Sequence, residues 1–215
     1  MRKKIVIDIL MFILMLLEYS KLYTGQLLHE VFGILLLILF ILHNILNIKF
    51  YKGLLKGKYN LQRITITVIN FLLLMCLLFA IILAIPISES IFKFLNLSVN
   101  MTVRKLHTIF GYWSLILMSI HLGLNLKILS AKIKNKVKER KIIKIILYII
   151  ELIIVALGIK AIIDTNLGLY LVGKASFAIP TNAIVSFLNN FCIVATISII
   201  TNKLEKILKR RKEDF

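Results

Sequence analysis

Long apolar stretches alternate with short polar segments along the whole chain. A bilayer core about 30 Å thick needs roughly 20 apolar residues at a helical rise of 1.5 Å each. Six stretches come close to that length, which predicts an all-α integral membrane protein with about six transmembrane helices. The predicted spans cover residues 5–23, 27–48, 64–87, 103–126, 142–163 and 182–201.

The first of these spans is the least regular, because it carries Asp8 and Glu18. A basic start from Met1 to Lys4, followed by an apolar run, is also the pattern of a secretory signal peptide. The run ends near Glu18 without the small residues that a cleavage site requires. We therefore expect this segment to be retained as a helix.

The composition excludes an ordinary soluble domain. Hydrophobic residues make up 60% of the 215 residues, charged residues make up 18%, and the mean hydropathy is +0.92. Average soluble domains are less than half apolar and about a quarter charged. So much apolar surface is expected to face lipid.

The net charge of +18 is compatible with nucleic-acid binding or with a basic collar at one membrane face. With a cytoplasmic N-terminus, six spans place 22 of the 28 Lys and Arg residues on the cytoplasmic side, as the positive-inside rule requires. This distribution predicts a cell-membrane protein with both termini in the cytoplasm, in contact with the bilayer and not with nucleic acid. The basic segments 132–141 and 206–212 either contact anionic headgroups or serve as ordinary topology signals.

One internal repeat carries the candidate chemistry. Residues 28–49 and 106–127 match at a constant offset of 78, in the pattern L-H-x-x-F-G-x-x-x-L-I-L-x-x-x-H-x-x-L-N-x-K. Leu and Ile matches are common between membrane helices, whereas matched His, Gly, Asn and Lys are not. All four histidines of the chain fall in this repeat: His29, His43, His107 and His121.

The spacing of 14 residues within each copy places both histidines on one helix face, about 21 Å apart along the axis. Each then lies near one edge of the hydrocarbon core. One span separates the two copies, so their helices are expected to run parallel. We therefore expect His29 to face His107 at the outer level and His43 to face His121 at the inner level.

Two facing imidazoles at each of two depths favour two haems, each with its iron held by two histidines inside a four-helix bundle. Gly33 and Gly111 lie one turn from the outer histidines on the same face and would leave room for a porphyrin edge. Packing of small residues between helices is the alternative role for these glycines.

Haem propionates need cations or hydrogen-bond donors near the membrane edge. Arg104 and Lys105 lie about one turn before the outer histidine of their helix and are candidates at the outer haem. The candidates at the inner haem follow the inner histidines and are Asn47, Asn125, Lys49 and Lys127. Helix capping and membrane anchoring are the alternative roles of these residues.

The repeat also resembles known proteins. Two parallel helices with two histidines each resemble the dihaem core of respiratory cytochrome b. The motifs H-E-x-x-G at 29–33, H-x-x-L-N at 43–47, Y-K-x4-G-K-Y-N at 51–60 and the segment 112–124 are similar to a family of bacterial cytochrome-b-like membrane proteins of unknown function. The resemblance, over about residues 5–130, implies a b-type cytochrome with the four histidines as iron ligands.

The predicted organisation is a haem bundle over residues 1–130, followed over 131–215 by two further transmembrane helices, a basic loop and a basic tail. The chain has no P-E-x-Y motif of quinol oxidation and no G-x-G-x-x-G of a nicotinamide domain. We therefore expect electron transfer across the membrane, with electrons supplied by a separate redox protein or a quinone.

Two other functions stay open at this stage. One is a histidine-based metal-ion transporter or sensor, since imidazole suits several transition metals. The other is a haem-containing anchor subunit of a partner redox enzyme. Glu151, deep in the fifth predicted span, is either a proton or quinone contact or a paired structural carboxylate.

Overall fold

The computed structural model describes residues 2–98, 100–137, 141–175 and 182–213. Over these residues the chain is helical and contains no strand. A short 3-10 helix, Lys93–Leu95, lies between the fourth and fifth α-helices. The α-helices are α1 (Arg2–Glu18), α2 (Lys21–Leu46), α3 (Ile48–Gly53), α4 (Leu61–Ile87), α5 (Met101–Val137), α6 (Lys141–Asp164), α7 (Leu167–Leu171) and α8 (Ala183–Glu213).

Five helices are long and apolar enough to cross a membrane, which confirms the prediction of a multi-pass membrane protein in a lipid environment. These candidate spans are Lys21–Leu46, Leu61–Ile87, Met101–Leu126, Lys141–Asp164 and Ala183–Leu208.

The first predicted span is shorter than expected. α1 has 17 residues, about 25 Å at 1.5 Å each, and a turn at Tyr19 and Ser20 separates it from α2. The apolar pattern continues to Tyr23 because α2 begins at Lys21, directly after this turn. A sixth span therefore stays a prediction.

α2 changes direction near its start. Gly25 has a φ of +80° inside the helix, a left-handed conformation that residues with a Cβ rarely adopt. The main part of α2 therefore begins after Gly25 and carries both of its histidines.

α1 and α2 form an antiparallel pair. At one end Lys4 Nζ donates to Asn47 Oδ1 over 2.9 Å, and at the other end Glu18 lies beside His29. The polar ends of both helices are thereby fixed at matching levels.

α8 runs parallel to α5 and antiparallel to α1. Ser198 Oγ donates to the Ser119 carbonyl over 2.8 Å, and Asn202 Nδ2 donates four residues further along both helices. The ring of Phe12 in α1 meets that of Phe191 in α8, while Ser20, in the turn after α1, contacts the earlier residue Ser186 of α8. Since α2 is also antiparallel to α1, α2 and α5 run parallel.

The buried core lies around α5 and α8. Gly123 in α5 and Gly158 in α6 let these helices approach α8 closely, since an added Cβ would lie 2.6 Å from the Ser198 carbonyl oxygen or 2.0 Å from Thr196 Oγ1. α2 and α4 have no fully buried residues and lie at the periphery. The core cluster comprises Leu16, Leu115, Ala161, Leu167, Ile193 and Val194.

This packing differs from a self-contained bundle of the first four predicted helices. α6 and α8, which belong to the predicted region 131–215, share one core with α1 and α5. Gly123 of α5 and Gly158 of α6 explain the difference, because they let both helices pack closely against α8. The division at residue 130 stays a prediction.

Candidate functional site

The two outer histidines lie together between α2 and α5. The ring centroids of His29 and His107 are 6.2 Å apart, with the ring planes at 87°. A bond from a metal ion to an imidazole nitrogen is about 2.0–2.1 Å long and a centroid lies about 1 Å behind its nitrogen, so rings on opposite sides of one ion have centroids about 6 Å apart. The outer pair therefore has the separation that one shared iron requires.

The inner histidines lie at the other end of the same two helices. His43 and His121 are close enough for an electrostatic interaction, but no ring contact joins them among the described residues. Asn47 Nδ2 lies 3.3 Å from Nε2 of His43 and so occupies one of its ring nitrogens. The inner pair is therefore less open to a ligand than the outer pair.

Three of the four imidazoles hydrogen-bond through Nδ1. The acceptor for His107 is the Ala80 carbonyl at 2.8 Å, and that for His121 is Asn70 Oδ1 at 2.7 Å. A carbonyl oxygen can only accept, so Nδ1 carries the proton in both rings and Nε2 keeps its lone pair. The same arrangement orients metal-binding histidines in other proteins.

The histidines of α2 face carboxylates of α1 instead. His43 Nδ1 lies 2.7 Å from Asp8 Oδ1 in a hydrogen bond. His29 Nδ1 lies 2.7 Å from Glu18 Oε2, a close contact that does not have the geometry of a hydrogen bond. The buried Oε1 of Glu18 has no hydrogen-bond partner in the described part of the chain.

The two glycines of the repeat border open space. A Cβ added at Gly111 would meet nothing within 4 Å beyond the backbone of its own helix, and one at Gly33 would meet only Glu18 Oε1 at 3.7 Å. Gly123 and Gly158, by contrast, hold helices in close contact. Gly33 and Gly111 thus lack the close helix contact that is present at Gly123 and Gly158.

The turn between α1 and α2 reaches the Gly111 region of α5. The Tyr19 hydroxyl donates to the Gly111 carbonyl over 2.5 Å, and its ring lies 5.3 Å from that of Tyr112. α2 and α5 themselves are not packed along their length. Tyr19 therefore links the turn after α1 to α5 at the level of Gly111.

Glu30 of α2, next to His29, hydrogen-bonds with the start of the loop that follows α4, here called the outer loop (residues 88–98). Its Oε2 accepts from the backbone N–H of Ile91 over 2.6 Å and its Oε1 from that of Glu89 over 2.8 Å. Further donors are Gln26 Nε2, Ser88 Oγ and the Ser90 N–H.

Arg104 of α5 also contacts the outer loop, through Glu89. Its guanidinium lies 2.8 Å from Glu89 Oε1, with both side chains largely exposed. The candidate propionate partner of the outer haem is thus occupied by an ion pair. Lys105, the second candidate there, lies against Gly173.

Asn47 and Asn125 form the same local hydrogen bond in both copies of the repeat. Each donates Nδ2 to the carbonyl of the inner histidine four residues earlier, over 2.9 Å for Asn47 and 2.8 Å for Asn125. Asn47 is the C-cap residue of α2, which supports the helix-capping alternative there. Asn125 lies inside α5, which continues to Val137, so it does not cap a helix. Lys49 borders an open cavity between α3 and α4, and the side chain of Lys127 lies outside the described residues.

Two further expectations concern residues away from the histidine pairs. Glu151 of α6 forms an ion pair with Lys203 of α8, which agrees with a paired structural carboxylate. Among the described residues, no group of three or more His, Cys, Asp and Glu side chains is placed to hold a metal ion.

Three residues that contact the imidazoles through their side chains are not among the predicted site residues. Asp8 and Glu18 were treated only as irregularities of the first span, and Asn70 was not considered. Ionisable residues inside apolar helices usually mark functional positions, so this signal was available for the two acids. For Asn70, a polar residue in an apolar run was the only indication.

No family model, curated protein or solved structure matches the chain.

Proposed function

We propose that the protein is a b-type membrane cytochrome that holds two haems between α2 and α5 and transfers electrons across the membrane. The separation of 6.2 Å between the rings of His29 and His107 carries this proposal, because it fits two axial ligands of one iron. The open space beside Gly111 and the acceptors that leave Nε2 available support it.

The chain itself supplies ligation and orientation. His29 and His107 would hold the outer haem. His43 and His121 would hold the inner haem, for which the Asn47 amide would have to leave Nε2 of His43. The Nδ1 contacts hold the rings in position, and apolar faces of α2 and α4 keep the region free of water. When bound, haem iron supplies reversible one-electron chemistry.

The proposed topology has α1 as a sixth span and both termini in the cytoplasm of a cell-membrane protein. The positive-inside charge pattern supports this orientation. Electrons then enter and leave through a separate redox protein or a quinone. The resemblance to cytochrome-b-like membrane proteins agrees with this proposal.

Electron transfer can be tested in lipid vesicles. The purified protein is reconstituted with ferricyanide trapped inside, and dithionite is added outside. We expect faster bleaching of the trapped ferricyanide than in protein-free vesicles, and loss of this difference in a His29→Ala/His107→Ala variant. Haem-loaded wild-type vesicles that bleach no faster than empty ones would contradict electron transfer across the membrane.

A further inference from the structure

The two histidine helices differ in the chemistry of the groups beside Nδ1 of their imidazoles. Both imidazoles of α2 face a carboxylate of α1, Asp8 or Glu18. Both imidazoles of α5 face a neutral acceptor of α4, the Ala80 carbonyl or the Asn70 amide. Each proposed haem would therefore have one ligand backed by a carboxylate and one backed by a neutral group.

This placement is costly and specific. Carboxylates are expensive in apolar helices and usually face a functional interior. Asp8 and Glu18 lie on one helix, at two levels, and each comes within 2.7 Å of a histidine of the neighbouring helix. The side chain of Glu18 is 14% exposed and has one buried oxygen without a hydrogen-bond partner in the described residues. A purely structural role would be served as well by neutral side chains.

A carboxylate beside Nδ1 changes how an imidazole binds iron. A carboxylate that accepts the Nδ1 proton, as Asp8 can from His43, fixes the tautomer and raises the basicity of Nε2. Glu18 lies as close to Nδ1 of His29 and acts on it through its negative charge. A more basic ligand and a nearby negative charge both stabilise ferric over ferrous iron. Hydrogen bonds to the ligands are among the features by which a protein sets a haem potential.

We propose that Glu18 and Asp8 are positioning residues that lower the midpoint potentials of the outer and inner haem, respectively, through the α2 imidazoles. This inference rests on the proposed function. It assigns to α1 the role of tuning the two sites, while α4 orients the α5 ligands without adding charge.

The test is a spectroelectrochemical titration of purified wild type, Glu18→Gln and Asp8→Asn. Each variant keeps an acceptor oxygen of nearly the same shape but removes the charge. We expect each to raise the midpoint of one haem by at least a tenfold change in the ferric-to-ferrous ratio, about 59 mV for one electron, and to leave the other haem unchanged. Asp164→Asn is the matched control, because Asp164 is an exposed carboxylate paired with Lys160 in α6, and its midpoints should equal those of wild type.

The converse variant covers the case in which a carboxamide prevents haem loading. Asn70→Asp places a carboxylate beside His121, and we expect it to lower the midpoint of the inner haem. Haem-loaded variants with wild-type midpoints would overturn the tuning role while leaving the cytochrome intact. A wild-type protein without haem would instead overturn the proposed function itself.

Discussion

At the scale of single residues, four glycines of the helices fall into two groups. Gly123 and Gly158 lie where a Cβ would collide with α8, whereas Gly33 and Gly111 border space. The repeat could identify Gly33 and Gly111 as a pair, because they match at the same offset as the histidines. It could not show that their surroundings are open, since this depends on where α1 and α4 pack.

Gly111→Ala and Gly158→Ala form a matched pair. We expect Gly158→Ala to lower stability by about 1–3 kcal/mol through overpacking, while Gly111→Ala should be neutral or gain up to about 1 kcal/mol of helix propensity. Thermal unfolding in detergent measures both. Equal destabilisation would show that Gly111 also serves close helix packing, which would remove the proposed space for a ring.

At the scale of elements, the outer loop connects the two histidine helices through polar contacts with both. Glu30 of α2 accepts from the loop after α4, and Arg104 of α5 contacts Glu89 of the same loop. Sequence spacing predicted that α2 and α5 run parallel, because one span lies between them. It did not predict these contacts, because the loop donates backbone N–H groups that every residue except proline carries.

Glu30→Gln should weaken the hydrogen bonds between α2 and the outer loop. The carboxylate accepts from several N–H and O–H donors, whereas the amide has one acceptor oxygen and brings donors of its own. We expect a loss of about 1–3 kcal/mol in stability and weaker retention of the outer haem. Glu89→Gln is the control, since it removes only an exposed ion pair worth about 0–1 kcal/mol. Thermal unfolding and haem content together measure the effect, and identical behaviour of both variants would contradict it.

At the scale of the whole molecule, the sequence predicted the class of fold better than its centre. Hydropathy identified the five candidate spans because a lipid environment requires long apolar helices. The repeat and the resemblance predicted a haem bundle of the first four predicted helices, which stays a prediction, while the buried core of the structure lies around α5 and α8. Helix packing in membranes depends on small and polar residues such as Gly158 and Thr196. The apolar periodicity of the sequence does not indicate which helix each of these residues contacts.

The same limit applies to the candidate site. The repeat placed His29 opposite His107 from spacing alone, and the structure brings their rings to 6.2 Å. Asp8 and Glu18 come from a helix outside the repeat, so no match within the sequence could connect them with particular histidines.

The haem content of the purified protein tests the central claim most directly. A pyridine haemochrome assay on protein from haem-replete cells, quantified against amino-acid analysis, should give two b haems per wild-type chain. His29→Ala and His107→Ala should each leave one, because both variants remove a ligand of the same outer haem. A folded wild-type protein with no haem, or the loss of both haems in equal proportion from each single variant, would contradict the account.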